Sequence, residues 1–389
     1  MPSSFHPIDA ERRLQVLVGG VLLIISAIFF AGYLRFLLDP ASGYNDFFVF
    51  WAAARHLQHA SLAGVYDQAG FEAFKLTLTD GHFSQLPFLY PPYSAFLFMP
   101  FGYLPFRAGL LLWDALSTTC YLLALWLVLR PRGAISVAAL IAPATVATLL
   151  AGQTGLLTSA LALLGLHLLG KRPVIAGILL GLLTLKPQIA LLPCLILLTS
   201  SQHKACLAAV LTVAGLALGS ALVFGIDAWT GWFHCLGSFA AGLDNSSSHQ
   251  QFGVTVYFTL LSFGSGKHLA LVAQALTTLA VLVVISDKLR RTPSKSQTML
   301  LLVGMYLATP YAAVYDLPAI SAVCLMLLAE GLGSGFRSGE LLAIATAWCT
   351  PLIMVLPQIH ANWLGLAMIA GLFIVLLRRS SASAMEATA

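Results

Sequence analysis

The chain has 389 residues, of which 59% are hydrophobic and only 9% are charged, and its mean hydropathy is +0.89. Soluble domains carry about 25% charged residues, so this composition excludes a soluble enzyme. The formal net charge of +5 comes from short basic clusters between apolar segments. Such a distribution is typical of membrane orientation, and we infer no nucleic-acid binding from it.

Apolar segments recur along the whole chain, and the first of them, residues 14–38, is long enough to cross a hydrocarbon layer. Placing every basic cluster in the cytoplasm puts both termini there and predicts about 12 crossings. The sequence therefore predicts an all-α polytopic membrane protein with a single transmembrane domain over residues 1–389. The predicted spans are residues 14–37, 107–129, 134–150, 156–169, 174–186, 189–200, 205–224, 267–286, 298–309, 317–331, 340–356 and 363–377.

Two segments on the outer side, residues 39–106 and 226–266, are longer than turns, and we expect them to form the roof of an active site. The first holds two amphipathic stretches, which predict helices that lie at the membrane surface. The proline-rich residues 86–105 predict a broken, partly inserted element. The second segment predicts a polar, flexible lid, although an ordinary connector fits it as well.

Asp46 is the strongest candidate for chemistry, because it follows the first span within a segment rich in aromatic residues. A carboxylate beside aromatic rings near the membrane surface loses part of its hydration, which favours its use as a general base. Aspartate is also a preferred N-cap, and Asn45 or Asp46 opens the predicted helix. A capping role therefore stays open beside the catalytic one.

Two polar residues on the outer side are candidates for substrate binding. Tyr90 offers a ring and a hydroxyl to a sugar or a lipid head group, although the two prolines that follow it are also plain helix breakers. Gln153, in a turn between two apolar helices, carries an amide that can hydrogen-bond sugar hydroxyls or a phosphate.

Lys186 lies at the outer end of a short apolar span, where a lysine is costly unless it is paired or lines a wet cavity. An anionic phosphate is its natural partner, and Gln188 beside it can add a hydrogen bond. The alternative is a lysine that snorkels to the membrane edge.

Four further residues have both a functional and a structural interpretation. Tyr311 and Asp316 share a turn between two spans and predict a substrate-facing rim, but Asp316 fits a cap of the following helix equally well. His249 in the second outer segment can reach a phosphate or an acceptor, whereas a solvated loop histidine is commoner. Asp114 lies inside the second span, where it predicts either a function or a partner on another helix.

The sequence contains no P-loop, no GxGxxG, no HExxH and no GxSxG nucleophile elbow, so soluble nucleotide chemistry has no support. Its six cysteines are scattered singly, which predicts neither a zinc site nor a redox pair. If the protein uses a sugar donor, we expect that donor to be a lipid.

The order of several short segments resembles the polytopic GT-C glycosyltransferases, and most closely glycosyltransferase family 87, typified by polyprenol-phosphate-mannose-dependent mannosyltransferases. The four segments and a looser fifth are DFFVFWAAARHL (46–57), LYPPYSAFLFMPFGYLP (89–105), AGQTGLL (151–157), LTLKPQIALLP (183–193) and TPYAAVYDLP (309–318). The resemblance implies a GT-C-type fold, with about 12 transmembrane helices and surface helices in the first outer loop. It also implies an inverting enzyme of the plasma (inner) membrane with an extracytoplasmic active site.

Residue roles follow from the same resemblance. An aspartate in the first outer loop acts as the base in the family, and the matching position is Asp46. The family places recognition of the donor phosphate in the region of Lys186 and Gln188. Its histidine-containing outer motif is matched here by a segment with Tyr311, so a catalytic histidine is in doubt. The implied partners are a polyprenyl phosphate sugar, a glycolipid or polysaccharide acceptor and membrane lipid, with neither a metal nor a cofactor.

A secondary transporter or lipid flippase is the competing prediction, since it would also have many spans, broken helices and a buried Asp114. A membrane acyltransferase with a histidine base, His234 or His249, is a third. Sugar transfer from a polyprenyl phosphate, measured beside acyl transfer and substrate flux, separates the three.

Overall fold

The computed structural model describes residues 7–39, 43–79, 86–130, 133–242, 252–288, 295–354 and 362–386. Within these residues the regular elements are helices, and one isolated antiparallel bridge joins Gly253 to Ala313. The α-helices are α1 (Pro7–Leu38), α2 (Phe47–His56), α3 (Ala63–Tyr66), α4 (Gln68–Thr77), α5 (Ala95–Phe98), α6 (Phe106–Leu129), α7 (Gly133–Ile141), α8 (Pro143–Ala151), α9 (Gly155–Leu168), α10 (Pro173–Leu182), α11 (Pro187–Thr199), α12 (His203–Phe224), α13 (Ile226–Gly242), α14 (Val256–Ser262), α15 (Lys267–Lys288), α16 (Lys295–Ala308), α17 (Pro318–Ser334), α18 (Glu340–Met354) and α19 (Asn362–Glu386). Short 3₁₀ turns lie at Pro92–Ser94, Met99–Tyr103, Leu183–Leu185 and Val314–Asp316.

Five helices of the described residues are long and apolar enough to cross a membrane: the apolar parts of α1, α6, α12, α15 and α19. The helices α7 and α8 pass the same test as a pair bent by 44°, and α9, α10, α11, α17 and α18 are shorter apolar helices. The all-helical membrane architecture is therefore confirmed. The count of about 12 crossings stays a prediction, although each predicted span overlaps a helix within the described residues.

Proline and glycine set several of the helix ends. Proline occupies the first turn of α8, α10, α11 and α17, where its missing N–H needs no partner. Gly152 ends α8 in the left-handed region, with a φ of 66°. Because these prolines and this glycine start and end helices abruptly, the turns between the helices are short. The side chains in these turns therefore lie close to helix ends.

Apolar side chains form two main clusters. The larger one fills the bundle of α6 to α12 and α15 to α19, with Tyr33 of α1 at its edge. The second is aromatic and joins α2, the broken segment of residues 92–103, the start of α6 and α13. The turns that carry the candidate residues lie where this aromatic layer meets the bundle.

The structure corrects two expectations for the outer segments. Helix α2 does not lie on a surface with one face exposed, because every residue from Phe47 to Ala54 is buried. The turn between α8 and α9 packs on its start, and the 3₁₀ turn of Met99–Tyr103 packs along it. The broken character of residues 86–105 is confirmed.

The lid is predicted for residues 226–266; of these, residues 226–242 are the helix α13 and not a polar loop, and residues 243–251 lie outside the described residues. Its indole groups fix it to the neighbouring segments. The Trp232 Nε1 donates to the Leu89 carbonyl (3.0 Å), and the Trp229 Nε1 donates to the Ser220 hydroxyl (3.2 Å). A helix that is anchored by partly buried hydrogen bonds opens less freely than a polar loop.

Candidate active site

Asp46 stands at the N-terminus of α2, half buried, and its side chain makes no capping hydrogen bond to that helix. Its Oδ2 instead accepts a hydrogen bond from the Gln153 Nε2 (2.9 Å). The rings of Tyr311 and Tyr315 lie close enough to interact electrostatically with the Asp46 carboxylate. The capping alternative for Asp46 is therefore not what the structure shows; the carboxylate faces another turn.

The turn between α8 and α9 is built to approach the start of α2. Gly152 has a φ of 66°, and a Cβ added there would come within 2.6 Å of the Phe47 Cβ. The Asn45 Nδ2 donates to the Leu150 carbonyl at 3.0 Å, which holds the two segments together. Only glycine combines this conformation with this contact at low cost. The close approach is what brings the Gln153 amide to Asp46.

Tyr90 lies beside the same turn. Its hydroxyl donates to the Gln153 Oε1 (3.3 Å) and shares a hydrogen bond with the Thr154 hydroxyl (2.7 Å). Its ring packs edge-on against Phe50 and Phe98, with centroid distances of 5.0 and 5.9 Å. Burial raises the pKa of the Tyr90 hydroxyl, which is therefore a proton donor at neutral pH.

Lys186 and Asp316 form a buried ion pair, with 5% and 0% of their side chains exposed. The second carboxylate oxygen of Asp316 accepts a hydrogen bond from the Ala313 N–H (3.0 Å), so Asp316 reaches back into its own turn. The Lys186 ammonium also stands over the Tyr315 ring, 5.1 Å from its centroid. Lys186 is thus neither snorkelling nor a bare cation, because its charge is matched inside the protein.

Tyr311 and Gln188 border this pair with fewer contacts. Tyr311 packs edge-on against Phe258 (centroids 5.2 Å apart), and burial raises the pKa of its hydroxyl. Gln188 lies half buried in the first turn of α11, and within the described residues its side chain makes no hydrogen bond. His249 lies outside the described residues.

Residues that sequence reasoning did not select also hold the site together. The Thr148 hydroxyl donates to the Tyr315 carbonyl at 2.7 Å, and the Ala319 N–H donates to the Ser159 hydroxyl at 2.9 Å. A Cβ at Gly155 would come within 1.8 Å of the same Tyr315 carbonyl oxygen. The small residues in the turn of residues 151–157 were a signal of this packing, but its partner segment could not be recognised from sequence.

A groove of about 380 Å³ lies next to the site, between α11 and α15. Its walls are mostly apolar, although Gln274 and Thr278 also line it, and Pro310, the residue before Tyr311, is part of the lining. The lining includes Leu191, Leu195, Leu271, Leu279, Leu282 and Pro310. Such a groove suits an alkyl or prenyl chain.

Asp114 lies apart from this site. Its Oδ2 accepts a hydrogen bond from the Tyr33 hydroxyl of α1 at 2.8 Å, so it pairs with another helix. Among the described residues, no group of three or more His, Cys, Asp or Glu side chains is arranged to hold a metal ion.

The family model described as Glycosyltransferase family 87 matches residues 88–312, which is more than half of the chain. The matched segment includes Tyr90, Gln153, Lys186 and Tyr311, whereas Asp46 and Asp316 lie outside it. No curated protein and no solved structure matches the chain.

Proposed function

The chain belongs to glycosyltransferase family 87, and from that premise we propose that it moves mannose from a polyprenyl phosphate to a glycolipid or polysaccharide acceptor. The transfer inverts the anomeric configuration and takes place on the extracytoplasmic side of the plasma (inner) membrane. Both termini are then cytoplasmic, and residues 1–389 form one GT-C-type domain with about 12 crossings.

One observation carries this proposal: a carboxylate and a buried cation, distant in sequence, border one cluster at the end of an apolar bundle. Gln153 and Tyr90 lie between them, since Tyr90 hydrogen-bonds to Gln153 and the charge of Lys186 acts on the Tyr90 hydroxyl. A base and an electrostatic stabiliser of a leaving phosphate are the two elements that this transfer needs.

In the proposed reaction Asp46 accepts the proton of the acceptor hydroxyl as that oxygen attacks the anomeric carbon. The bond between that carbon and the phosphate oxygen breaks on the opposite face, and its electron pair leaves with the polyprenyl phosphate. The attacking and leaving oxygens on opposite faces of an oxocarbenium-like centre give inversion. The Lys186 ammonium and the Tyr311 hydroxyl are the donors available to the leaving phosphate.

The groove between α11 and α15 supports a lipid donor. Its lining is mostly apolar and includes Pro310, which precedes Tyr311, so a prenyl chain that lies in it would be near the turn of Tyr311 and Asp316.

The testing experiment measures transfer of labelled mannose from polyprenyl phosphate mannose to membrane glycolipids by the purified protein. We expect Asp46→Asn and Asp46→Ala to lower kcat by about 10²–10⁴-fold, because a general base contributes that much. Asp67→Asn is the matched control: this exposed carboxylate of the same outer segment makes no capping hydrogen bond, and its loss should leave the rate unchanged.

Full activity in both Asp46 variants would remove Asp46 from the mechanism. If the wild type transfers no sugar from any polyprenyl phosphate, a transporter or flippase becomes the better proposal, and flux across vesicles is then measured. Parallel assays with polyprenyl phosphate glucose decide the sugar.

A further inference from the structure

The Gln153 amide uses both of its ends inside the site. Its Nε2 donates to Oδ2 of Asp46 (2.9 Å), and its Oε1 accepts from the Tyr90 hydroxyl (3.3 Å). An ionised carboxylate can only accept, so it faces the amide NH₂, while the hydroxyl faces the amide oxygen. The amide therefore favours the ionised form of the Asp46 carboxylate, with Oδ2 as a hydrogen-bond acceptor. A general base must be in this ionised form to take up a proton.

The contacts continue from Tyr90 to the ion pair. The Tyr90 hydroxyl also bonds to the Thr154 hydroxyl at 2.7 Å, and the Lys186 charge acts directly on it. Hydrogen bonds therefore run from Tyr90 through Gln153 to Asp46, and the Lys186 charge acts on the Tyr90 end of this series.

The backbone that carries Gln153 is fixed on both sides. Before it, the left-handed Gly152 lies against Phe47. After it, Gly155 lies against the carbonyl of Tyr315, which also accepts a hydrogen bond from the Thr148 hydroxyl at 2.7 Å. A side chain on a backbone held in this way can place a reactive group within the few tenths of an ångström that catalysis requires.

We propose that Gln153 is a positioning residue that aims the Asp46 carboxylate and is itself held in place by the Tyr90 hydroxyl. This inference rests on the proposed function, in which Asp46 is the base. In this role Gln153 acts on another side chain of the protein, Asp46, and not by direct contact with the sugar or the phosphate.

The test compares kcat and the donor KM of Gln153→Met, Tyr90→Phe and the double variant. Methionine keeps the volume of glutamine but neither donates to Asp46 nor accepts from Tyr90. We expect Gln153→Met to lower kcat by about 100-fold, as for a misplaced catalytic group, with the donor KM unchanged. Tyr90→Phe should lower kcat by about 10-fold, the effect of one lost hydrogen bond.

The double variant distinguishes a chain of contacts from two separate roles. If Tyr90 acts through Gln153, adding Tyr90→Phe to Gln153→Met causes no further loss. Gln68→Met is the control: this exposed glutamine of the first outer segment donates to the Cys235 sulfur at 3.8 Å, and its loss should leave kcat and KM unchanged and the thermal midpoint nearly so. The thermal midpoint of Gln153→Met should equal that of this control, so that the loss in kcat cannot be attributed to unfolding.

Three results would overturn the inference: a wild-type kcat in Gln153→Met, a raised donor KM with kcat unchanged, or losses that multiply in the double variant. Each is interpreted in a protein whose wild type transfers sugar and whose Asp46→Asn variant does not. If Asp46→Asn retains full activity, the proposed function fails first, and the inference fails with it.

Discussion

Gly152 is the residue at which backbone conformation and site geometry depend most directly on each other. It ends α8 at a φ of 66°, and its missing side chain lets the turn lie against Phe47 and Asn45. An alanine there would have to adopt a conformation that L residues rarely take, at a cost of about 1–2 kcal/mol, and would also push the turn away from α2. The distance from Gln153 to Asp46 would increase as a result.

We therefore expect Gly152→Ala to lower the transfer rate strongly and the thermal midpoint only slightly. Gly215→Ala is the matched control, since Gly215 lies in α12 with no heavy atom within 4 Å of an added Cβ. That substitution should leave the rate unchanged and raise stability slightly, by up to about 1 kcal/mol, because alanine is the better helix former. Equal rates in the two variants would show that the turn does not control the site.

The Lys186–Asp316 pair alters the interpretation of Lys186, which the sequence predicted as a cation for an anionic phosphate. A lone buried lysine would attract a phosphate strongly, but here a buried carboxylate already satisfies it. Such a pair costs desolvation that good geometry must offset, and the Ala313 N–H and the Tyr315 ring contribute to that geometry. A phosphate that approaches Lys186 therefore meets an ion pair with no net charge and tyrosine hydroxyls. Such a site holds a phosphate less tightly than a lone lysine would, which suits the polyprenyl phosphate that leaves in the proposed reaction.

At the level of helices, Arg379 fastens three of them together at the end of the bundle opposite the site. Its guanidinium in α19 contacts Glu330 of α17 at 3.0 Å and Glu340 of α18 at 2.7 Å. The Glu340 side chain is only 1% exposed, so its charge needs a partner. Lys295 contacts Glu330 as well, at 3.0 Å, but its side chain is 41% exposed.

Arg379→Met should lower the free energy of unfolding by about 3–5 kcal/mol, because it leaves a buried carboxylate without its counter-charge. Lys295→Met should cost at most about 1 kcal/mol, since solvent screens an exposed pair. Thermal denaturation in detergent measures both, and both variants should keep wild-type transfer at low temperature. Equal midpoints for the two variants would contradict this assignment of the helix contacts.

For the whole molecule, orientation in the membrane is the property that can be tested most directly. Gln68 and Lys171 are exposed, and they lie on the predicted outer and cytoplasmic sides. In a variant without native cysteines, Gln68→Cys should react with a membrane-impermeant maleimide in intact cells. Lys171→Cys should react only after permeabilisation, because basic turns stay in the cytoplasm. The reverse pattern would place the candidate site on the cytoplasmic side.

Helix bounds could be predicted because uninterrupted apolar runs leave few alternatives; the span expected at residues 107–129 is the helix Phe106–Leu129. The alternation of spans also predicted that Asp46, Gln153 and Lys186 share one end of the bundle. It could not predict the pairing of Lys186 with a residue 130 positions away, because alternation fixes the side of a turn and not its neighbours. The burial of α2 was missed for the same reason, since its second covering layer comes from the turn after α8.

The shortness of the central helices has a consequence for the depth of the site. Helix α9 has 14 residues, so it is about 21 Å long, whereas a hydrocarbon layer is about 30 Å thick. In the proposed topology, with the C-terminal end of α9 at the cytoplasmic membrane surface, the turn that carries Gln153 would lie about 9 Å below the opposite surface of that layer. A lipid substrate meets the reacting groups at that depth without being lifted from its leaflet, whereas a nucleotide sugar would have to give up its hydration to descend. Under the proposed function, the short central helices would thus favour a lipid-linked donor over a nucleotide sugar before any side chain contacts the sugar.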